Sequence, residues 1–427
     1  MKNLLAVSIL LVGCSSTPGD DARPVGVPPG LIRPEAAAKP APKTIPALTL
    51  EEALALADGH PELRELMARA EAAKGRADQA ALWSNPEAIL RIESAPFNSP
   101  GDGEFVAGIS QRLALGGRLG AAERIELLEA EKLGHEHAAR RLQRRSRVHA
   151  AFAVALHLTE AETAHAELVS HGEAGERLAK ARIDAGDGLP EELARAELET
   201  LKLRVELERV RGLRAAAMVA LAGEMGLGDS RITAVTGNLS QAFELPALEA
   251  LQQAIDRHPE VLAADGDIAV QRGKIALAEA QRIPDLSVDL LYRRLGATKE
   301  SAFDVGIGIA IPFTDRNQGR LREAHAEEVA AAARLSVTRI RLAAELKEAH
   351  VRLTLALATA KRLRDEVIPR ANAILAAYEK RYSLGDASLS DVLPVRRDRA
   401  ALKLAQLDAL RDVMTEWSKM APAFANR

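Results

Sequence analysis

The sequence predicts a mainly α-helical protein with a membrane β-barrel portion, assembled from one structural unit that occurs twice. Three observations carry this. First, Phe303, Val305, Ile307, Ile309 and Ile311 alternate with Asp304, Gly306, Gly308 and Ala310, the period of a strand with one apolar face. Second, the strands are followed by Ala-rich, charged stretches far longer than the helices of ordinary globular domains. Third, the order helix, strand hairpin, long helix, return helix recurs at a nearly constant offset.

The 427 residues carry a net charge of -3, too balanced for a nucleic-acid surface. Aromatics are 3%, which suits helices in close contact better than a bulky core. No run approaches the roughly 20 apolar residues of a spanning helix, so if the chain crosses a membrane it does so with strands. Met1-Lys2-Asn3, the apolar Leu4 to Val12 and the following Gly13-Cys14 resemble a bacterial lipoprotein signal. That resemblance implies cleavage after residue 13, acylation of Cys14 and, with Ser15-Ser16 next, outer-membrane sorting. Cys14 is the one cysteine, so no intrachain disulfide forms. Residues 14–46 read as an acylated, Pro-rich tether of extended backbone.

The first repeat, residues 47–236, opens with Thr49 and Glu52 spaced as a capping box. A helical pattern runs past His60-Pro61 to about Ser84, where Asn85-Pro86 stops it. Strands follow at about 88–93 and 105–113. Gly116-Gly117 then turns the chain into a helix reaching about Ala185, on the order of 100 Å at 1.5 Å per residue. Gly186-Asp187-Gly188 breaks it, Pro190 suits a new first turn, and a return helix runs to about Glu224 with a seam at Leu203, Leu207, Val210, Ala217 and Leu221.

After a linker at 237–246, the second repeat, 247–427, restates the plan. His60-Pro61 returns as His258-Pro259, Asn85-Pro86 as Ile283-Pro284, and Phe105 as Phe303, each 198 residues on. Gly117-Arg118-Leu119 matches Gly319-Arg320-Leu321 at 202, and Gly186-Asp187 matches Gly385-Asp386 at 199. The second strand pair falls at about 286–294 and 303–311. Leu286, Val288, Leu290 and Tyr292 share a face opposite Ser287, Asp289 and Arg293. Ala88, Leu90 and Ile92 do the same against Arg91 and Glu93, while Gln111 interrupts the apolar face of its strand. Four strands cannot close a barrel, and open edges are not tolerated in lipid. Two copies give eight strands, a number whose interior side chains fill; three give twelve, enough for a lumen. Asp289, Asp304, Arg91 and Glu93 would then line that lumen.

The repeated plan resembles the TolC-like outer-membrane factors from about Leu48 to Ala421. The matching pieces are the two His-Pro helices, Ile109 to Arg118, and the tip Tyr382 to Leu393; Ile311 to Gly319 looks like the heavy-metal efflux, CzcC-like branch. The resemblance implies a homotrimer with a twelve-stranded β-barrel in the outer membrane and a periplasmic α-helical barrel. It implies an inner-membrane RND-type pump and a periplasmic adaptor protein as partners, and export of heavy-metal cations. Asp391 aligns with an acidic constriction position of that family, and Glu192 is its counterpart in the first repeat; Pro394 stands where a second acidic residue is common. Gly186, Asp187, Gly385 and Asp386 fall at hairpin tips, where the family meets its adaptor.

Plainer readings stand beside these. Asp391 and Glu192 also suit helix-end capping, and the tip Gly and Asp residues suit ordinary turns. The histidines His149, His157 and His165, spaced by eight, and the run Arg140, Arg141, Arg144, Arg145 and Arg147 read as solvated helix faces. Neither a metal site nor a cofactor nor a catalytic motif is expected, and the chain is not read as an enzyme or a nucleic-acid binder. Two alternatives remain open at this level: a periplasmic coiled-coil adaptor or scaffold lipoprotein, and a TolC-like channel for drugs or secreted polypeptides.

Overall fold

The computed structural model describes residues 44–93, 97–98, 103–186, 188–228, 231–241, 243, 245 and 247–420. Residues 1–43, with Cys14 and nearly all of the tether, lie outside this range. The elements in order are β1 (Thr44–Ile45), α1 (Leu50–Ala57), α2 (Pro61–Ala80), β2 (Glu87–Glu93), β3 (Glu104–Leu113), α3 (Arg118–Asp184), α4 (Pro190–Glu224) and β4 (Arg231–Ile232). There follow α5 (Leu248–Ala254), α6 (Pro259–Ala280), β5 (Leu286–Leu295), β6 (Ser301–Ile309), α7 (Gln318–Arg362), α8 (Ile368–Ser383) and α9 (Leu389–Met420). A five-residue π segment, Leu363–Val367, joins α7 to α8 just before Pro369, whose missing N–H explains the local unwinding.

The two repeats differ at their first helix, α5 following Ala247 with no side-chain cap, and agree at the His-Pro helix after it. The Thr49–Glu52 capping box forms, with Glu52 N–H donating to Thr49 Oγ1 at 3.3 Å and Thr49 N–H to Glu52 Oε2 at 2.9 Å. The expected continuous helix through His60-Pro61 is instead two helices. His60 caps α2, its Nδ1 accepting from Glu62 N–H at 3.2 Å, and Pro61 takes the first turn, where its absent N–H costs nothing. His258 caps α6 in the same way, accepting from Glu260 N–H at 3.3 Å ahead of Pro259. Thr44–Ile45, read as the end of the tether, pairs in parallel with Arg231–Ile232.

The long helices are held by packing and by arginines. Val148, Phe152 and Leu156 of α3 bury against Leu48, Val210, Leu221, Met225, Leu239 and, from the second repeat, Leu407 and Met414. A second core joins Leu251, Ile255, Val261 and Ile268 to α7 and α9. The arginine run is solvated in part, with Arg140, Arg141 and Arg147 exposed, but several of its members are bound to acidic partners. Arg141 grips Asp58 with two bonds of 2.9 and 2.7 Å, and Arg145 adds a third at 2.9 Å. The Arg141 guanidinium holds the Asp58 carboxyl below its ordinary range. Arg144 bonds Glu62 and, at 2.7 Å, Glu224. In the second repeat Arg341 bonds Glu260. The Glu after each His-Pro therefore receives an arginine from the long helix, and the brace is duplicated with the fold.

His149, His157 and His165 are buried rather than solvated. His149 is 6% exposed and lies 5.7 Å, ring to ring, from Trp417 of α9, with its Nδ1 unpartnered. His157 Nε2 sits 3.1 Å from Asp408 on α9. His165 Nδ1 is buried without a partner. Burial pushes the His149 imidazole down to about 4 and lowers His157 and His165 as well. A histidine held neutral when folded contributes stability that is complete above the unfolded value, near 6.5, and is lost as pH falls toward 4. Thermal melts in detergent should therefore show falling stability below pH 6.5, and His149→Leu should reduce the loss at pH 5 by roughly 2 kcal/mol. Superimposable acid limbs for the two proteins would mean that His149 titrates normally.

Candidate functional site

Four strands form one antiparallel sheet in the order β2-β3-β5-β6. The two repeats meet at β3–β5, where Ile109 faces Leu290, Ala107 faces Tyr292 and Ser110 faces Asp289. Helix starts fix this junction. Gly116, at φ +68°, passes so close to α6 that a Cβ would lie 2.8 Å from the Ala280 carbonyl oxygen. Arg118 reaches Asp285 at 3.0 Å across the repeats. The left-handed residue before α3 is Gly117; before α7 it is Asn317, φ +60°, whose amide donates to the Ala278 carbonyl at 2.7 Å. Asn317, not Gly319, is thus the conformational counterpart of Gly117.

Register places every strand's apolar set on one face. Ala88, Leu90 and Ile92 are followed across the sheet by Phe105, Ala107 and Ile109, then Leu286, Val288, Leu290 and Tyr292, then Phe303, Val305, Ile307 and Ile309. This face is bare: Leu90 is 74% exposed, Phe303 75% and Ile307 72%. Polar residues interrupt this face: Arg294 at the hairpin-loop end, opposite Phe105, and Gln111 at the helix end, whose amide donates to the carbonyls of Ser84 and Arg112 at 2.8 and 3.0 Å. Aromatics mark both ends of the sheet. Phe105, Tyr292 and Phe303 lie toward the hairpin loops, and Trp83 and Phe313, both exposed, flank the helix side.

The opposite face is charged. Arg91, Glu93, Asp289 and Asp304 all lie on it, joined by Glu87, Glu104, Arg112 and Arg293. Arg293 Nε donates to Asp304 Oδ2 at 2.9 Å; its Nη1 donates to Glu93 Oε2 at 3.3 Å and to Glu104. Arg91 stands 3.3 Å from the other oxygen of Glu93. Strand parity alone had assigned Arg293 to this face; its pairing with Glu104 is a long-range contact that no local spacing signals. β2 and β6 end the sheet with no neighbouring strand among the described residues.

The far ends of the long helices carry the other candidates. Gly186 and Gly385 both adopt left-handed backbone, at φ +79° and +78°, so the two matched glycines share a conformation. Asp187 lies outside the described residues. Asp386 pairs with Arg381 at 3.1 Å. Asp391 accepts from both Ser388 N–H, at 2.8 Å, and Ser388 Oγ–H, at 2.7 Å, and those bonds hold its carboxyl below the ordinary range. It therefore caps α9 as the plainer reading expected, while remaining an exposed anion. Glu192 sits in the first turn of α4, half-buried. A small apolar contact of Ala179 and Ala196 with Leu193, Tyr382 and Leu393 joins the two tips. Among the described residues no three His, Cys, Asp or Glu side chains are placed to hold a metal, and no helix is long and apolar enough to cross a membrane.

Known proteins share this arrangement. The family model described as Outer membrane efflux protein matches residues 250–423. The cobalt-zinc-cadmium resistance protein CzcC of Cupriavidus metallidurans is 27% identical over 372 residues, 85% of this chain and 86% of the relative. The nickel and cobalt resistance protein CnrC of the same organism is 30% identical over 303 residues, 68% of this chain and 69% of the relative. Among solved structures, a membrane protein from Pseudomonas aeruginosa superimposes with a TM-score of 0.75 at 19% identity, over 88% of this chain and 92% of the other. The Campylobacter jejuni CmeC outer membrane channel gives 0.71 at 17% identity, over 88% and 85%. A two-faced sheet joined to long paired helices, and relatives of this extent, lead to one conclusion: the chain belongs to the outer membrane efflux protein family.

Proposed function

We propose that three copies of this chain close a twelve-stranded barrel in the outer membrane, continue it as a helical barrel in the periplasm, and pass heavy-metal cations outward. The observation that carries this reading is the sheet itself, apolar on one face, charged on the other and open at both edges. Lipid on one side and water on the other satisfy those faces, and only another strand satisfies the edges. The strands, of 7 to 10 residues, approach the roughly 9–11 that cross a bilayer.

Duplication supplies the closing rule. β3 is the second strand of its hairpin and pairs with β5, the first strand of the next. Repeating that relation, β6 of one copy pairs with β2 of the following copy, a head-to-tail contact that closes into a ring. The charged face, with Asp289, Asp304, Arg91 and Glu93, then lines the lumen. Five carboxylates against three guanidiniums per chain make that lumen net acidic, which favours cations.

Cation cargo follows the resistance proteins to which the chain is similar. An adaptor protein at the tips, around Gly186, Asp187, Gly385 and Asp386, and an RND-type pump behind it would deliver the cargo. Acylation of Cys14 would anchor the N-terminus in the same membrane. The work is passage rather than chemistry, and no catalytic role is assigned. Asp391 and Glu192 of three copies would crowd like charges about the axis and form the narrow cation-selecting point.

Detergent-extracted protein should run as a heat-modifiable trimer and conduct across planar bilayers. A monomeric, water-soluble, non-conducting species would contradict the proposal. Asp391→Asn keeps an oxygen for Ser388 but removes the charge, so it should lower cation preference while leaving the melting temperature in place. An unchanged reversal potential would take Asp391 out of the constriction.

A further inference from the structure

Arg293 touches all three other strands of the sheet. From β5 it donates to Asp304 on β6, Glu93 on β2 and Glu104 on β3. These residues lie toward the hairpin-loop end of the charged face, away from the helices, where the proposed conduit would open outward. Their side chains are 24–40% exposed, within reach of water and of passing ions. Three carboxylates gather around one guanidinium, Asp304 at Nε and Glu93 and Glu104 at Nη1; as placed they are not set to hold a metal, but drawn together without it they would supply the oxygens that a hard divalent cation takes. Here the point is already filled by a guanidinium, which keeps its charge at every physiological pH and bonds several oxygens at once through its planar fork.

We propose that Arg293 is a fixed counter-cation that stops the carboxylates of the outer mouth from capturing the divalent cations leaving through it. The inference rests on the channel reading above. A conduit needs acidic walls to admit cations, yet a site that binds them tightly slows release. Arg293 keeps the wall acidic overall while cancelling its densest point. Arg91 contributes from the side, at the second oxygen of Glu93. Arg293 is therefore a specificity residue: it sets what the mouth fails to bind.

Mn2+ binding to the purified full-length protein in detergent, followed by electron paramagnetic resonance, tests this without requiring conductance. Wild type should show no site dependent on this cluster. Arg293→Gln should gain about one Mn2+ per chain with Kd on the order of 10⁻⁴ M, and adding Glu104→Gln should abolish the gain. Arg293→Met, an apolar stem of similar reach, gives the same comparison should the Gln variant fail to fold. In bilayers, Mn2+ added on the outer side should reduce the current of the Arg293 variant and leave wild type unaffected. A folded Arg293 variant that binds no more Mn2+ than wild type would overturn the proposal, as would a wild-type site that Glu104→Gln removes. Loss of conductance in wild type itself would instead strike the channel reading, leaving the Mn2+ result to judge Arg293.

Discussion

Apolar side chains on one face of a narrow sheet, together with two strand edges that have no partner among the described residues, set the terms for everything else in this molecule. Leu90, Ile92, Phe303, Val305 and Ile307 find no helix or second sheet to cover them. In water such a face drives aggregation, and its edges recruit further strands. In a bilayer the same face is satisfied by acyl chains, at roughly 25 cal/mol per Å² removed from water. The remaining cost is the unpaired backbone of β2 and β6, which lipid makes severe and which neighbouring copies relieve. Membrane location and assembly are thus two answers to a single unsatisfied surface.

The helical part serves this surface by holding two hairpins at a fixed spacing. Duplication does much of the work. The His-Pro-Glu start of α2 and α6 places a glutamate where an arginine of the long helix meets it, Arg144 in one repeat and Arg341 in the other. The Gly117 and Asn317 corners release α3 and α7 from the sheet with the same left-handed turn. The Arg118–Asp285 pair and the tight approach at Gly116 then lock one repeat to the other beside the sheet. Because the second strand of one hairpin already pairs with the first strand of the next inside the chain, a contact between copies can repeat a pairing the chain makes on its own.

Much of this was legible in the sequence because strand parity and proline chemistry act locally. An offset of 198 is even, so the faces of corresponding strands could be compared residue by residue, and the register keeps those faces together. The Thr49 box follows from a three-residue spacing. What escaped depends on distant partners. Histidines eight apart drift by about 80° per step at 3.6 residues per turn, so they read as scattered and therefore solvated. Helices on more than one side of α3 bury them: Trp417 and Asp408 on α9 meet His149 and His157, and His165 is approached by Glu206 and Arg209 on α4. The acidic partners of the arginine run escape for the same reason, since Asp58 and Glu62 lie more than 80 residues earlier in the chain.

The central claim is that alternate residues of one strand face lipid and water. Single cysteines introduced along β6 in a Cys14→Ser background, at positions 304 to 307 in membrane-embedded protein, test it directly. Positions 304 and 306 should react with a membrane-impermeant maleimide while 305 and 307 stay protected and respond to a lipid-phase quencher. Uniform labelling along the strand, or protection at 304 and 306 instead, would contradict the account.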